Sequence, residues 1–515
     1  MPSPLTSPMH RRTFLTGSLA AGALATAAPS ALAAPRPRPA PELRTWAAQT
    51  WRCLDALTVP ASGLAADDIG ADLSAASRGH QTSPTNIGCG LWSTVAAREI
   101  GLLDRGEARR RLARTLDSIA HLERHEPSGM YYNWYDPADG RKLTVFPSSG
   151  EVVKPFLSSV DNGWLAAALL VVERAEPSLR RQARDLRRRM DFGYYYDAAE
   201  NAPGGQLRGG FWDVDPDEDA AVVGNYRGGD PVWYTGHHYG AFNTEPRIAS
   251  YLGIAAGQIP PEHYWGPVRT FPDDSCDYSW TETKPQGSWR TYGGVRVFEG
   301  ALPYRGKLVV PTWGGSMFEA LMVPLLVPED EWGPRSWKLN HPLYVQCQIE
   351  HGLDEARYGY WGFSPSNDPA GGYREYGVDQ LGLDGPGYTS DEERTTVDQA
   401  FEGCRPGSPA PTSYGDGVVT PHASFLALRY APDQAVQNLR NLAADFDCTT
   451  DGGFLDAIAV RSGRVSDRFL ALDQGMVMAS LGNALGGDVL RRHVGAELSR
   501  TLRPLMQQEV FATRA

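Results

Sequence analysis

Cysteine is scarce in this chain of 515 residues: Cys53, Cys89, Cys276, Cys347, Cys404 and Cys448 are all there is, with no C-x-x-C pair. That spacing offers no zinc site, and neither a metal nor a cofactor is expected. Basic residues are in deficit as well, 49 Lys and Arg against 61 Asp and Glu, for a formal net charge of −12. A surface of that sign excludes a nucleic-acid partner, whose phosphates need basic groups, and it suits an anionic membrane poorly. A neutral or weakly charged substrate is what remains. Past the N-terminal region no run is long and apolar enough to cross a bilayer. A G-x-S-x-G elbow ahead of a helix is missing too, which counts against Ser-His-Asp chemistry. Hydrophobic residues at 42% and charged residues at 21% describe an ordinary folded protein, with chain enough for one large core or about two to three domains.

What is present begins with an address. Arg11-Arg12-Thr13-Phe14-Leu15 precedes a mildly apolar run from Leu19 to Leu32, and Ala31-Leu32-Ala33 offers a small-x-small cleavage site. Paired arginines before a weakly hydrophobic run resemble a twin-arginine export signal. Residues 1–34 are read as that signal, 35–41 as a Pro/Arg spacer and 42–515 as a single domain, secreted and monomeric. In an oxidising compartment cysteines pair, and Cys53–Cys89 and Cys404–Cys448 are the expected bridges.

From residue 41 onward helical periodicity dominates, with helices expected at 41–54, 89–101, 107–123, 164–174, 177–192, 320–327, 336–353, 433–445, 476–485 and 488–502. Each helix is followed by a return helix and by a polar or aromatic loop at one end. Such pairs build an α-solenoid or a closed α/α barrel, which the pattern does not separate. Two stretches break the rhythm. Residues 273–310 read as a loop-rich, partly β insertion, and the chain from Tyr358 to about Gly417 as a Gly/Pro/Asp-rich excursion.

The centre of the chain is Tyr234 to Gly257. It places two adjacent histidines ahead of Glu245, then turns helical with Ile248, Tyr251, Leu252 and Ala255 on one face. Asn243 or Thr244 is the expected cap and Pro246 suits the first turn. Glu245 is thus read as a carboxylate at a helix end on a cleft wall, open to tuning as a general acid or base. Asp161, Glu319 and Asp473 share its layout, each at a helix start behind a polar or aromatic loop, while Asp136 and Asp456 lie in aromatic or Gly-rich loops. Inner helices of a barrel start at one end, so these carboxylates are expected to converge in a cleft walled by Trp134, Trp164, Trp233, Tyr234, Trp313 and Trp361. Aromatic platforms stack on the flat C–H faces of sugars, and paired carboxyl groups cleave glycosidic bonds. His238 can hydrogen-bond a sugar, and Arg247 is either a structural ion pair or the partner of a neighbouring carboxylate.

Seven motifs in order carry a resemblance: Ser83-Pro84-Thr85-Asn86-Ile87-Gly88, Asn133-Trp134-Tyr135-Asp136, Ser159-Val160-Asp161-Asn162-Gly163, Asn243-Thr244-Glu245-Pro246-Arg247, Trp313-Gly314-Gly315-Ser316-Met317-Phe318-Glu319, Trp361-Gly362-Phe363-Ser364 and Leu472-Asp473-Gln474-Gly475. Across nearly the whole mature chain they are similar to the glycoamylase-like family, which includes bacterial endo-β-1,2-glucanases and the C-terminal region of cyclic β-1,2-glucan synthases. The resemblance implies an (α/α)6 barrel acting on β-1,2-linked glucan; the chain is read as all-α with insertions on the substrate side, and the expected cleavage is with inversion. It implies Glu245 as general acid and Asp161 as base or substrate ligand, with Asp456 competing for the base. Asp136, Trp134, Asn162, Trp164, His238, Arg247, Trp313, Glu319, Trp361 and Asp473 are the expected contacts to a polysaccharide or oligosaccharide. Where relatives often carry Ser-Glu-Ser, this chain has Ser364-Pro365-Ser366 and loses a carboxylate. The alternatives are a same-fold hydrolase of an arabinan or galactan, a polysaccharide lyase, and a non-catalytic glycan-binding protein.

Overall fold

Helices follow one another from Glu42 to the C-terminus in the computed structural model, which describes residues 39–272, 281, 283–383 and 414–515. The expected signal lies outside the described residues, as do Cys276 and Cys404. In chain order the helices are α1 (Glu42–Leu57), α2 (Pro84–Glu99), α3 (Arg105–His121), α4 (Ser159–Ala175), α5 (Arg180–Arg188), α6 (Arg247–Ala255), α7 (Met317–Leu321), α8 (Glu329–Trp332), α9 (Trp337–Glu350), α10 (Pro421–Leu426), α11 (Pro432–Asp445), α12 (Ala471–Gly486) and α13 (Val489–Gln508). The helix expected at 89–101 starts earlier, at Pro84, because Ser83 caps it and proline suits the first turn. The Arg-rich helix expected at 177–192 shortens to α5.

Burial sorts these helices into two layers. Thirteen of the sixteen residues of α2 and thirteen of the seventeen of α4 are buried, against five of seventeen in α3. A helix apolar on every side belongs inside, and one with a single apolar stripe belongs outside. The inner helices form a ring: α2 packs on α4, α4 on α6, α7 on α10, α10 on α12, and α12 back on α2. The α6–α7 link is made by Arg247, which donates to the carbonyls of Glu319 and Ala320 at 3.0 and 2.8 Å. This is the closed alternative of the two sequence-based architectures, an (α/α)6 barrel. Small residues let the inner helices approach. A Cβ at Gly475 of α12 would lie 2.5 Å from the Cys89 sulfur on α2, and one at Gly163 of α4 would lie 3.1 Å from Ala249 of α6. Helix α13 packs against α2, α4, α6, α8 and α12. Its Glu497 pairs with Arg174 in the last turn of α4, which places α13 at the end of the ring opposite the helix starts.

The insertion carries a three-stranded antiparallel sheet, Gln286–Tyr292, Val295–Tyr304 and Lys307–Val309. A second small sheet joins Leu157–Ser158, Gly210–Trp212, Val232–Tyr234 and Val222–Gly224, tying the Tyr234 loop to the start of α4. Cysteine pairing departs from expectation. Cys53 and Cys89 are both free and buried, so the Cys53–Cys89 bridge is absent. Cys448 is free as well and donates to the Leu442 carbonyl. The expected Cys404–Cys448 bridge lies outside the described residues, since Cys404 does.

Arg247 fixes the α6–α8 packing through a buried two-point pair with Glu329, at 2.8 and 3.0 Å. His341 of α9 and Tyr251 of α6 complete the carboxylate's partners. Burial opposes ionisation of Glu329, but Arg247 and His341 outweigh it and hold the carboxyl down at about 2. A depressed carboxyl stabilises the fold above the ordinary range near 4.5, and that stability is lost as pH falls through about 2. Substituting Arg247→Met strands a buried charge and is expected to cost about 3–5 kcal/mol in chemical denaturation at neutral pH. A loss below about 1 kcal/mol, the range of exposed pairs, would show that the pair does not hold α6 to α8.

Candidate functional site

Three inner helices open in the same way. Ser83 accepts from the backbone N–H of Asn86, Ser158 from that of Asp161 and Ser316 from that of Glu319, each at 3.2 Å. A serine cap therefore sets the third residue of each helix on the first turn at the same end of the ring. Asp473 holds the equivalent place on α12, three residues after Leu470. Glu245 differs. Helix α6 is capped at Pro246 with no side-chain bond, so Glu245 stands just ahead of it rather than in its first turn, and neither Asn243 nor Thr244 caps it.

A cavity of about 650 Å³ opens at this end, with Glu245, Glu319, Glu375, Tyr239, Trp313 and Phe271 in its wall. The Glu245 N–H is not free toward the cavity; it donates to Glu319 Oε2 at 2.7 Å. Glu245 Oε2 accepts from the Trp164 indole N–H, also at 2.7 Å. Burial pushes the Glu245 carboxyl well above its ordinary range, and the Glu319 charge adds to that. The Trp164 bond opposes the rise, while Asp161 and Glu375 contribute to it. Glu319 is pushed up to about 8, mainly by burial. Two neighbouring acids, both disfavoured as anions, hold their protons to higher pH than ordinary glutamates do. That arrangement provides a proton donor at neutral pH in the cavity wall.

Asp161 lies beside this pair. Its oxygens accept from the Thr85 hydroxyl at 2.6 Å and the Asn133 amide at 3.1 Å. The thiol of Cys89, on the floor between α2 and α12, is raised by burial and then by Asp473, Asp161 and Glu245. Carboxylates from three inner helix starts thus surround one buried sulfur.

Other expected contacts are spent on structure. The Asn162 amide is fully buried and bonds the Tyr131 N–H, the Tyr131 carbonyl and the Ser158 carbonyl, so it anchors α4 and does not face substrate. Arg247 is the structural ion pair described above. Trp361 is 2% exposed and its carbonyl accepts from Asn438, which makes it core rather than platform. Trp164 is 1% exposed and meets the site only through its N–H edge. Trp134 is half-buried and tilts against Phe146, and Asp136 staples its own turn by accepting from Ala138 N–H; neither is in the cavity wall. His238 lines the cavity but is held by Asp197 at 3.1 Å. Asp456 and Asp473 are each 2% exposed and not in the cavity wall, and each places an oxygen within 4.8 Å of a His422 ring nitrogen.

Glu375, Tyr239 and Phe271 went unnoticed in the sequence. Glu375 sits in the excursion after Trp361-Gly362-Phe363-Ser364, on the chain leaving a short β-pair, Ser366–Asn367 with Tyr373–Arg374. No helix start or aromatic loop marks it. A carboxylate missing at Pro365 is thus supplied to the cavity ten residues later.

Comparison with known proteins follows this geometry. Residues 278–494 match the Glycoamylase family model, and residues 45–199 match a family of proteins of unknown function (DUF3131). The cyclic β-(1,2)-glucan synthase NdvB of Rhizobium meliloti is 28% identical over 286 residues, which is 53% of this chain and only 8% of that protein. An endo-β-1,2-glucanase from Chitinophaga pinensis, solved with sophorotriose and glucose, superposes with a TM-score of 0.60 at 17% identity, covering 90% of this chain and 97% of the other. A β-1,2-glucanase from Parabacteroides distasonis gives 0.62 at 16%, covering 91% and 60%. An endo-β-1,2-glucanase from Talaromyces funiculosus, in complex with β-1,2-glucan, gives 0.54 at 13%, covering 89% and 91%. The resemblance read from the seven motifs is borne out, and at these identities the structures establish the shared barrel.

The two carboxyl groups make a direct test. In a ¹³C NMR titration of the side-chain carboxyls, Glu245 is expected to titrate far above 4.5. Glu319→Gln should bring it down by removing a neighbouring charge, and Trp164→Phe should move it further up by removing a donor to the anion. An unshifted Glu245, or the opposite order, would refute burial and the Glu319 charge as the cause of the rise.

Proposed function

We propose that this chain is a secreted glycoside hydrolase that cleaves β-1,2-linked glucan at internal bonds with inversion. One observation supports this above the rest: Glu245, an acid kept protonated by burial and by Glu319, stands in the wall of a cavity of about 650 Å³ beside Trp313 and Tyr239. The linkage comes from the names of the proteins it resembles, since a synthase of cyclic β-1,2-glucan and several β-1,2-glucanases share only that glycan. The excess of acidic residues agrees with an uncharged polymer and disfavours a uronate-binding lyase.

Glu245 gives its proton to the leaving glycosidic oxygen as the bond to the anomeric carbon breaks. Asp161 takes a proton from a water that attacks that carbon from the opposite face, leaving a hydroxyl of inverted configuration. An inverting pair needs carboxyls about 6.5–9.5 Å apart, room for one water, whereas a retaining pair stands at about 5–5.5 Å. Trp313 offers a ring face to a sugar, and the Trp164 N–H steadies the carboxylate that remains after proton transfer.

Glu245→Gln is expected to lower kcat on linear β-1,2-glucan by about 10²–10⁴-fold while binding of the glucan persists. Unchanged turnover would remove Glu245 from the mechanism, and binding without turnover in the native protein would leave a glycan-binding protein. In the native enzyme kcat/KM falls as pH rises through the raised Glu245 value, so activity extends beyond the range of an ordinary glutamate. First-formed products should be α-anomers by ¹H NMR; β-anomers would mean retention. Release from arabinan or galactan and not from β-1,2-glucan would reassign the substrate.

A further inference from the structure

Apart from the residues of the Glu245 cavity wall, three side chains from separate parts of the chain meet in a second, narrow pocket. His422 comes from the first turn of α10, Asp473 from the first turn of α12, and Asp456 from the loop after Gly453–Phe454. Each offers one ligand atom, and these atoms lie within 4.8 Å of one another. All three residues are at most 3% exposed. The free space among them is about 10 Å³, room for one small particle and no more.

Buried polar atoms almost always have partners, and here a group of them has none. Both ring nitrogens of His422, Oδ1 of Asp456, Oδ2 of Asp473 and Oε1 of the neighbouring Gln474 lack a hydrogen bond. The shortest approach of the imidazole, Nδ1 to Asp473 Oδ2, is 3.4 Å, longer than an N–H···O bond in ordinary geometry. A proton shared between the two carboxyl groups would account for their oxygens alone. It would leave the imidazole bare, inside a wall that includes Phe425, Phe454 and Val477. A cation accounts for both facts at once.

We propose that His422, Asp456 and Asp473 form a divalent-cation site for an ion of the zinc or manganese class, with Gln474 Oε1 as a fourth ligand. The donor set suits such an ion: imidazole nitrogen favours zinc and its neighbours, carboxylate and amide oxygens favour manganese, and two carboxylates balance the 2+ charge. Ligand atoms on one ion at bonding distances of about 2.0–2.2 Å stand roughly 3.4 Å apart in tetrahedral geometry, so the three side chains would close in around the ion by rotamer adjustment. The ion would tie the starts of α10 and α12 to the Asp456 loop. The site stands independently of the hydrolase reading.

The test uses the full chain purified without chelators. Elemental analysis is expected to find one zinc or manganese ion per chain. After stripping with EDTA, returning Zn²⁺ or Mn²⁺ should raise the Tm and give a saturable one-site isotherm by calorimetry. His422→Phe fills the pocket without a ligand and should retain no ion and show no Tm response. Stripped native protein that binds neither ion at millimolar concentration overturns the proposal in favour of a shared proton. Equal binding by His422→Phe overturns it too, by placing the ion elsewhere. Should that variant fail to fold, the calorimetry of the stripped native chain decides alone.

Discussion

Two half-buried glutamates held close together in a cavity wall are the constraint around which this molecule is arranged. Glu245 gives its backbone N–H to the Glu319 carboxylate, and its own carboxyl is caught by Trp164. Neither acid is comfortable as an anion there, so the fold must supply rigid surroundings that keep them together. It does so with a buried ion pair: Arg247, two residues beyond Glu245, clamps Glu329 and two carbonyls of α7. The penalty of burying a guanidinium is offset by five hydrogen bonds, and the outcome is a fixed α6–α7 junction with the acid pair at its mouth.

The same junction explains why apparently similar residues have different fates. Tryptophans are rich in apolar area, and burying that area stabilises the core. Trp164 and Trp361 are therefore buried, and only an N–H edge of the first reaches the site. Trp313 lies on a loop immediately ahead of a capped helix, and it is the one expected tryptophan in the cavity wall. Aromatic type alone does not separate a platform from a core side chain; position relative to the helix start does.

Much of the site was legible because helix starts are written locally. Serine caps, a carboxylate three residues on and an apolar run behind it are contiguous features, and they marked Asp161 and Glu319 correctly as first-turn acids. Glu375 was invisible for the opposite reason. It arrives on an irregular segment whose path depends on a two-residue β-pair and a Gly371-Gly372 turn, with no periodicity to read. The Cys53–Cys89 bridge failed likewise: pairing depends on distance in space, and Cys89 is committed to a close contact with Gly475 on α12.

By itself the sequence determined the helices, their caps, the common polarity of the inner ones and the list of acids at their starts, since all of these follow from short-range periodicity and hydrogen bonding. Only the tertiary structure decided which acids touch. Burial and neighbouring charge pushed the carboxyls of Glu245 and Glu319 above their ordinary range, and packing of α10 against α12 brought His422 beside Asp456 and Asp473. Desolvation and charge–charge contact are properties of the folded interior, and no spacing along the chain encodes them.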